Sequence, residues 1–200
     1  MKHDTATLRH EHTQEDKVFK NFPEDPEFYH KDIRPNIVRI IHERGLEEWK
    51  YGILTNELHG HLGIYAIIGM KMGLFALEYL DAGAGQVQIL SLAGSKPPVS
   101  CTNDGLQVST GATIGHGLIK IMDADPPSPA AIFSYKEKSI RVLLKEAFRQ
   151  QVARQISAAR QENGGLTDRY WKSIRELAIA YWTGWDRNKL FEVIPENIRN

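Results

Sequence analysis

The sequence predicts an α+β protein in which a mixed sheet of about four strands packs on a central apolar helix, with extra helices near both ends. A nearly unbroken apolar run at residues 64–80 predicts the central helix. Short segments rich in β-branched residues follow this run and predict the sheet. A charged, helix-favouring stretch then leads to the end of the chain.

Small residues recur along the apolar run at the three- and four-residue spacing of one helix face. They are Ala66, Gly69, Gly73 and Ala76. Each interior glycine costs about 1 kcal/mol relative to alanine in a helix, so we expect a neighbouring backbone to approach this face closely. Lys71 interrupts the run, whereas a membrane span needs about 20 consecutive apolar residues. We therefore expect a buried core helix and no membrane association.

Two helices are predicted ahead of the central one. Pro35 occupies a first-turn position of the first helix, and Gly45 is a suitable C-terminal cap for it. The second helix is predicted at residues 46–55. The apolar face of the first helix comprises Ile37, Val38, Ile40 and Ile41.

Alternating and β-branched segments predict four strands, at residues 86–92, 118–122, 130–135 and 139–144. The last two are close enough for a hairpin. A short helix is predicted between the first two strands, capped by Asn103 or Asp104 and closed by Gly111. Thr167 is the predicted cap of a final helix. The two C-terminal helices are predicted at residues 145–161 and 168–182.

The length of 200 residues fits one α+β domain at residues 18–200, preceded by a polar, flexible arm at residues 1–17. His10 and His12 lie in that arm, where nothing would fix the geometry of a metal site. Basic and acidic residues number 25 each, which predicts no nucleic-acid partner. The start of the chain lacks the apolar core of a signal peptide, so we expect a cytoplasmic protein.

The residues suited to metal chemistry are two histidines and one cysteine. His59 and His61 would diverge on a helix, but Gly60 between them allows a turn in which both rings converge. Cys101, the only cysteine, precedes a predicted helix start, where the helix dipole favours the thiolate. Two imidazoles and a thiolate suit zinc and leave a fourth position for water or substrate. A structural role remains the alternative, because a lone cysteine is usually a small buried hydrophobe.

A glycine-rich loop at residues 111–117 contains Thr113 and His116. It lacks the Lys-Ser/Thr pair of a phosphate-binding loop and the spacing of a dinucleotide fingerprint. We therefore predict no nucleotide site here.

Two motifs together resemble those of the formylmethanofuran dehydrogenase E-subunit (FmdE) family, across about residues 46–145. The motifs are HGHLG at residues 59–63 and SCTNDGLQVSTGATIGHG at residues 100–117. The family is marked by H-G-H-L-C-P-G and by a C-x-x-D-x-x-Q segment that runs into G-C-T-x-G-K-G. The aligned residues are His59, Gly60, His61, Leu62, Cys101, Asp104, Gln107, Gly111, Thr113, Gly115 and Gly117. The resemblance implies a fold related to the catalytic domain of glyceraldehyde-3-phosphate dehydrogenase, commonly dimeric and metal-binding.

This chain departs from the family pattern at three places. Gly63 and Ile64 replace the Cys-Pro that follows the histidines, Ala112 replaces the second-motif cysteine, and His116 replaces the lysine. The loss of two thiols weakens a redox or cluster-binding hypothesis. Two histidines and one cysteine still permit a mononuclear site.

The predicted site is therefore a divalent metal ion, most suitably zinc, held by His59, His61 and Cys101. His116 is the predicted proton carrier and catalytic residue. The predicted pocket residues are Asp104, Gln107, Thr110 and Thr113.

Two hypotheses for the function stay open. In the first, the metal site acts on a small one-carbon or carbonyl compound. In the second, the protein is a non-catalytic accessory subunit of a redox enzyme complex, or a metal carrier or sensor. In either case we expect a homodimer, because the apolar helix faces and tryptophans exceed what one small sheet can cover.

Overall fold

The computed structural model describes residues 18–197 of the chain. The flexible arm predicted at residues 1–17, together with His10 and His12, lies outside the described residues.

The two predicted N-terminal helices are present as α1 (Ile37–Arg44) and α2 (Leu46–His59). Gly45 separates them at φ +90°, and its N–H donates to the carbonyl of Ile41. Ile37 and Ile40 are buried as predicted, whereas Val38 is exposed, which corrects its place on the apolar face. A helical turn of 100° per residue carries Val38 away from the face that Ile37 and Ile40 share.

The central helix α3 (Ile64–Leu80) has the predicted bounds and lies in the core. Its small-residue face packs against α4 (Thr102–Thr110). A Cβ atom at Gly69 would collide with the carbonyl of Thr102, and one at Gly105 would collide with the carbonyl of Ala66. The close approach predicted for α3 is confirmed, and the partner helix contributes a glycine of its own. No helix in the described part of the chain is long and apolar enough to cross a membrane.

Helix α4 begins one residue after a short 3-10 turn at Val99–Cys101, and Cys101 is its N-cap residue. The predicted caps Asn103 and Asp104 therefore lie inside the helix, which corrects that prediction. The buried Asn103 side chain accepts from Ser91 Oγ at 2.5 Å and donates to the carbonyl of Gly94 at 2.9 Å. It therefore ties the start of α4 to the segment that follows the first strand.

The sheet has five strands in the order β2-β1-β3-β4-β5. The β1–β2 pair is parallel and every other pair is antiparallel. The strands are β1 (Gln88–Ser91), β2 (Ile119–Ile121), β3 (Ala130–Tyr135), β4 (Lys138–Leu144) and β5 (Phe191–Pro195). The four predicted strands are confirmed, and the predicted number is corrected by β5. That strand pairs with β4, so that Val193 lies opposite Val142.

The C-terminal helices are α5 (Glu146–Glu162), α6 (Asp168–Gly184) and the short α7 (Arg187–Leu190). Thr167 caps α6 as predicted, since its Oγ1 accepts from the N–H of Tyr170. Trp182 of α6 stacks on Trp49 of α2 with ring centroids 5.2 Å apart, over the backbone of Gly52. Helix α6 is thereby fixed against the core.

A buried ion pair joins three helices. Lys71 on α3 pairs with Glu48 on α2, and neither side chain is exposed to solvent. Its ammonium also donates to the carbonyls of Trp182 at 3.0 Å and Trp185 at 2.8 Å. These carbonyls lie at the C-terminal end of α6, where helices leave acceptors unsatisfied. Arg187 contacts the other oxygen of Glu48 at 2.7 Å, so both partners are compensated.

Candidate functional site

The two histidines of the first motif meet at the end of α2. His59 is the last residue of this helix, and Gly60 ends it in the left-handed conformation at φ +79°. The chain then turns, and the rings of His59 and His61 lie with their centroids 4.4 Å apart. The convergence predicted from Gly60 is therefore present.

Asn56 holds this turn in place. Its side-chain amide donates to the carbonyl of Gly52 at 2.6 Å, and its Oδ1 accepts from the N–H of Gly63 at 3.2 Å. The sequence analysis missed this residue. The available signal was a polar residue four positions ahead of the glycine that ends the helix.

Asp104 on α4 orients the first histidine. The Nδ1 of His59 donates to Oδ2 of Asp104 at 2.6 Å, so the Nε2 of His59 carries a lone pair. The His59 side chain is 10% exposed, and its Nε2 is buried without a hydrogen-bond partner among the described residues. A carboxylate that fixes an imidazole through its second nitrogen is the usual partner of a metal-ligating histidine.

Gly63 keeps the space between the two histidines open. A Cβ atom at this position would lie 3.0 Å from Nε2 of His59 and 3.4 Å from Nε2 of His61. The backbone of Gly63, at φ −105° and ψ 138°, is extended and accessible to any residue. The glycine is therefore required by space and not by conformation. Both Nε2 atoms face this space, beside the position where the family motif has its cysteine.

The second histidine is packed between two rings. His61 lies in an exposed turn, but its ring contacts that of His59 and the edge of Trp171, whose centroid is 5.7 Å away. This partial burial lowers the pKa of His61, and the charge of protonated His59 lowers it further. His61 is thus held in its neutral form, the form that binds metals.

Cys101 is half-buried at the N-terminus of α4. Burial raises the pKa of its thiol, and the nearby charge of Asp104 raises it further. This direction is opposite to the lowering expected from the helix dipole, because desolvation opposes the thiolate more strongly. No group of three His, Cys, Asp or Glu side chains within residues 18–197 is arranged to hold a metal ion. Cys101 as a third ligand stays a prediction.

Three predicted pocket residues brace the loop that follows α4. Gln107 accepts from the N–H of Ile114 at 3.1 Å, and the buried Thr110 donates to the carbonyl of Leu106 at 2.6 Å. Thr113 accepts from the N–H of His116 at 3.1 Å. These contacts give the three side chains a role within their own segment, and their role in a pocket stays a prediction.

His116 is exposed at the tip of this loop. Its Nδ1 donates to the carbonyl of Gly111 at 3.2 Å. Its predicted catalytic role stays a prediction. A cavity of about 350 Å³ lies elsewhere, between α5 and α6, and none of the predicted site residues lines it.

Trp171 at the start of α6 is a site residue that the sequence analysis placed only on an apolar helix face. It lies 110 residues beyond His61 in the chain, and no sequence spacing connects them.

The sequence model of a family described as "FmdE, Molybdenum formylmethanofuran dehydrogenase operon" matches residues 58–192, which is more than half of the chain. The chain belongs to the FmdE family. The match includes both histidine and cysteine motifs and continues through α5, α6 and α7 into β5.

Among solved structures, the chain is similar to an FmdE-like protein of the tungsten formylmethanofuran dehydrogenase type from Syntrophus aciditrophicus. The two are 17% identical, and the alignment has a TM-score of 0.48 and covers 76% of this chain and 73% of the other. None of the curated proteins matches this sequence.

Proposed function

We propose that this FmdE-family protein binds a divalent metal ion, most suitably zinc, through His59 and His61, and that the metal binds a small molecule. The observation that carries the proposal is the buried Nε2 of His59, which has a lone pair and no hydrogen-bond partner among the described residues. An unpartnered buried polar atom costs free energy, and a metal ion at this position compensates it. Gly63 leaves the space that such an ion needs.

Cys101 is the proposed third ligand. Its thiol loses its proton when zinc binds, because zinc binds the thiolate and offsets the cost of burying that charge. A set of two imidazoles and one thiolate suits zinc and leaves one position open. Zinc in such a site polarises a carbonyl group or activates a bound water. Asp104 holds the proton on Nδ1 of His59 throughout and so keeps Nε2 available.

A one-carbon or carbonyl compound is the proposed substrate class. Two considerations support it: the chemistry of a zinc ion with an open position, and the formyl compound named in the description of the family. In this hypothesis the loop after α4 forms part of the pocket, and Gln107, Thr110 and Thr113 fix its shape.

A second candidate function is metal carriage or sensing, or service as an accessory subunit of a redox enzyme complex. The position of His116 favours it, because this side chain is exposed and donates to its own loop. A carrier or accessory subunit needs no organised acid–base group, whereas an enzyme does.

The first experiment is elemental analysis of protein prepared without chelator, followed by zinc reconstitution. We expect about one zinc per chain, bound with a much lower affinity by His59→Ala. The control is His42→Ala, which removes a histidine of α1. Less than about 0.1 metal per chain after reconstitution contradicts the proposal, because a formed zinc site fills.

A screen of the zinc-loaded protein against carbonyl and one-carbon compounds then separates the two candidate functions. Zinc-dependent turnover that is lost in His59→Ala supports the enzyme. Zinc binding with neither turnover nor ligand-induced stabilisation across the screen supports the carrier or accessory subunit.

A further inference from the structure

We infer that Trp171 forms an apolar wall of the metal site and favours ligands that carry an aromatic or apolar group next to a metal-binding headgroup. The inference rests on the proposed function, since it takes the two histidines as metal ligands. It adds a residue from a distant helix and a chemical class of ligand.

The geometry places the indole beside the metal-binding atoms. The planes of His61 and Trp171 lie 74° apart, an edge-to-face contact with a centroid distance of 5.7 Å. The contact occupies one side of the indole, and 48% of the Trp171 residue surface is still exposed. A ligand bound at Nε2 of His61 therefore meets an accessible aromatic surface within the reach of its own substituents.

The exposed indole is held in a fixed place. The hydroxyl of Thr167 caps the first turn of α6, and Tyr170 and Ile174 on either side of Trp171 are buried. The ring of Tyr170 contacts that of Trp171 with centroids 5.1 Å apart. An aromatic side chain on a rigid helix loses little entropy when a ligand covers it, which is how binding sites gain affinity from such residues.

The other histidine also has a large apolar neighbour. Leu58, directly before His59, is 61% exposed. Exposed apolar residues are common singly, but here one adjoins each of the two histidines. Binding sites for small molecules combine apolar walls with a few polar or metal-binding groups. The surroundings of the histidine pair have this composition.

The first test measures whether Trp171 is near the bound metal. Co²⁺ is titrated into metal-free protein, and tryptophan fluorescence is followed together with Co²⁺ binding by equilibrium dialysis. We expect Co²⁺ to quench the fluorescence of the wild-type protein and of Trp185→Phe, the matched control. In Trp171→Phe we expect Co²⁺ to bind while most of the quenching is lost. Equal quenching in Trp171→Phe and wild type overturns the inference.

The second test measures ligand preference on the zinc-loaded protein. Benzohydroxamate and acetohydroxamate share a zinc-binding headgroup and differ in a phenyl group against a methyl group. We expect the wild-type protein to bind benzohydroxamate about tenfold more tightly, a size typical of an aromatic contact. Trp171→Ala should abolish most of this preference, and Trp171→Phe should retain most of it.

Zinc binding is measured separately in each variant, so that the two proposals fail in different ways. Wild-type protein that binds no zinc contradicts the proposed function and this inference with it. Wild-type protein that binds zinc but shows the same hydroxamate preference as Trp171→Ala overturns only the role of Trp171. A structural role of Trp171 would alter zinc affinity or folding and leave the preference between the two hydroxamates unchanged.

Discussion

The Nδ1 of His59 donates a hydrogen bond of 2.6 Å to Oδ2 of Asp104, and this contact joins two sequence motifs that lie 45 residues apart. It links the C-terminal end of α2 to the first turn of α4. The bond also determines which nitrogen of His59 faces the space above Gly63. One hydrogen bond thus decides whether the histidine pair is ready to bind a metal.

Asp104→Asn tests this relationship. An amide cannot accept a charge-assisted hydrogen bond and holds the imidazole less firmly, so we expect zinc affinity to fall by about 10- to 100-fold. Competition with a zinc indicator measures the affinity. The matched control is Asp123→Asn, since Asp123 accepts from Ser95 outside the site. Unchanged affinity in Asp104→Asn would contradict the assigned role.

Gly63→Ala tests the space between the histidines. The new Cβ atom would lie 2.9 Å from Cδ2 of His59, which forces the ring to move. We expect loss of zinc affinity together with a destabilisation of about 1–3 kcal/mol from overpacking. The control is Gly184→Ala, where a Cβ atom meets nothing within 4 Å. Zinc affinity in Gly63→Ala equal to that of the wild type would show that the space holds no metal.

The pKa of His61 gives a pH dependence to the stability of the metal-free protein. Because this pKa is lowered in the folded state, the unfolded state binds the proton more readily. The stability is therefore complete above the ordinary histidine pKa of about 6.5 and decreases as the pH falls below it.

Urea denaturation at about pH 7.5 and about pH 5.5 measures this effect. We expect the wild-type protein to lose stability at the lower pH, and His61→Asn to lose less. The matched control is His42→Asn on α1. An equal loss in His61→Asn and wild type would show that other groups cause the pH dependence.

The helices were predictable because their signals are local. The small-residue spacing of α3, the cap at Thr167 and the turn at Gly60 each depend on a few neighbouring residues. The start of α4 was misplaced because a 3-10 turn at Val99–Cys101 precedes it and displaces the cap. Strand β5 was missed because the partner that makes it a strand, β4, lies far earlier in the chain.

The site was predictable only in part, for the same reason. Gly60 indicated that the two histidines meet, and the family motif indicated Asp104. The contact between Asp104 and His59, and the contact between Trp171 and His61, both arise from tertiary packing that no sequence period encodes. The raised pKa of Cys101 likewise follows from burial, which the position of a helix start does not reveal.

Lys71→Met tests the buried ion pair. The change leaves Glu48 with Arg187 alone and removes the donor to two carbonyls at the end of α6. We expect a loss of about 3 kcal/mol in the free energy of unfolding, as when one partner of a buried pair is removed. Urea denaturation measures it. Arg39→Met, which breaks an exposed pair on α1, should cost no more than about 0.5 kcal/mol.

A homodimer is the last prediction, and the sheet suggests where it forms. One face of the sheet contributes Ile89, Phe133 and Val142 to the core. The register places Leu90 beside Ile132, and Arg141 beside both Ile132 and Ile194, on the opposite face. Ile194 is 41% exposed there, and Leu90 and Ile132 are half-buried. This row of apolar side chains is suited to a second copy of the chain.

A two-fold axis would bring this face against itself and bury the row, which is how most symmetric dimers form. We expect sedimentation at micromolar concentration to give twice the 22.7 kDa mass of one chain. Ile194→Glu should shift the protein toward the monomer, because it buries a charge in the interface. Leu166→Glu is the matched control, since Leu166 is exposed in the loop before α6. A single 22.7 kDa species in the wild type would contradict the dimer, and a dimer unaffected by Ile194→Glu would contradict this interface.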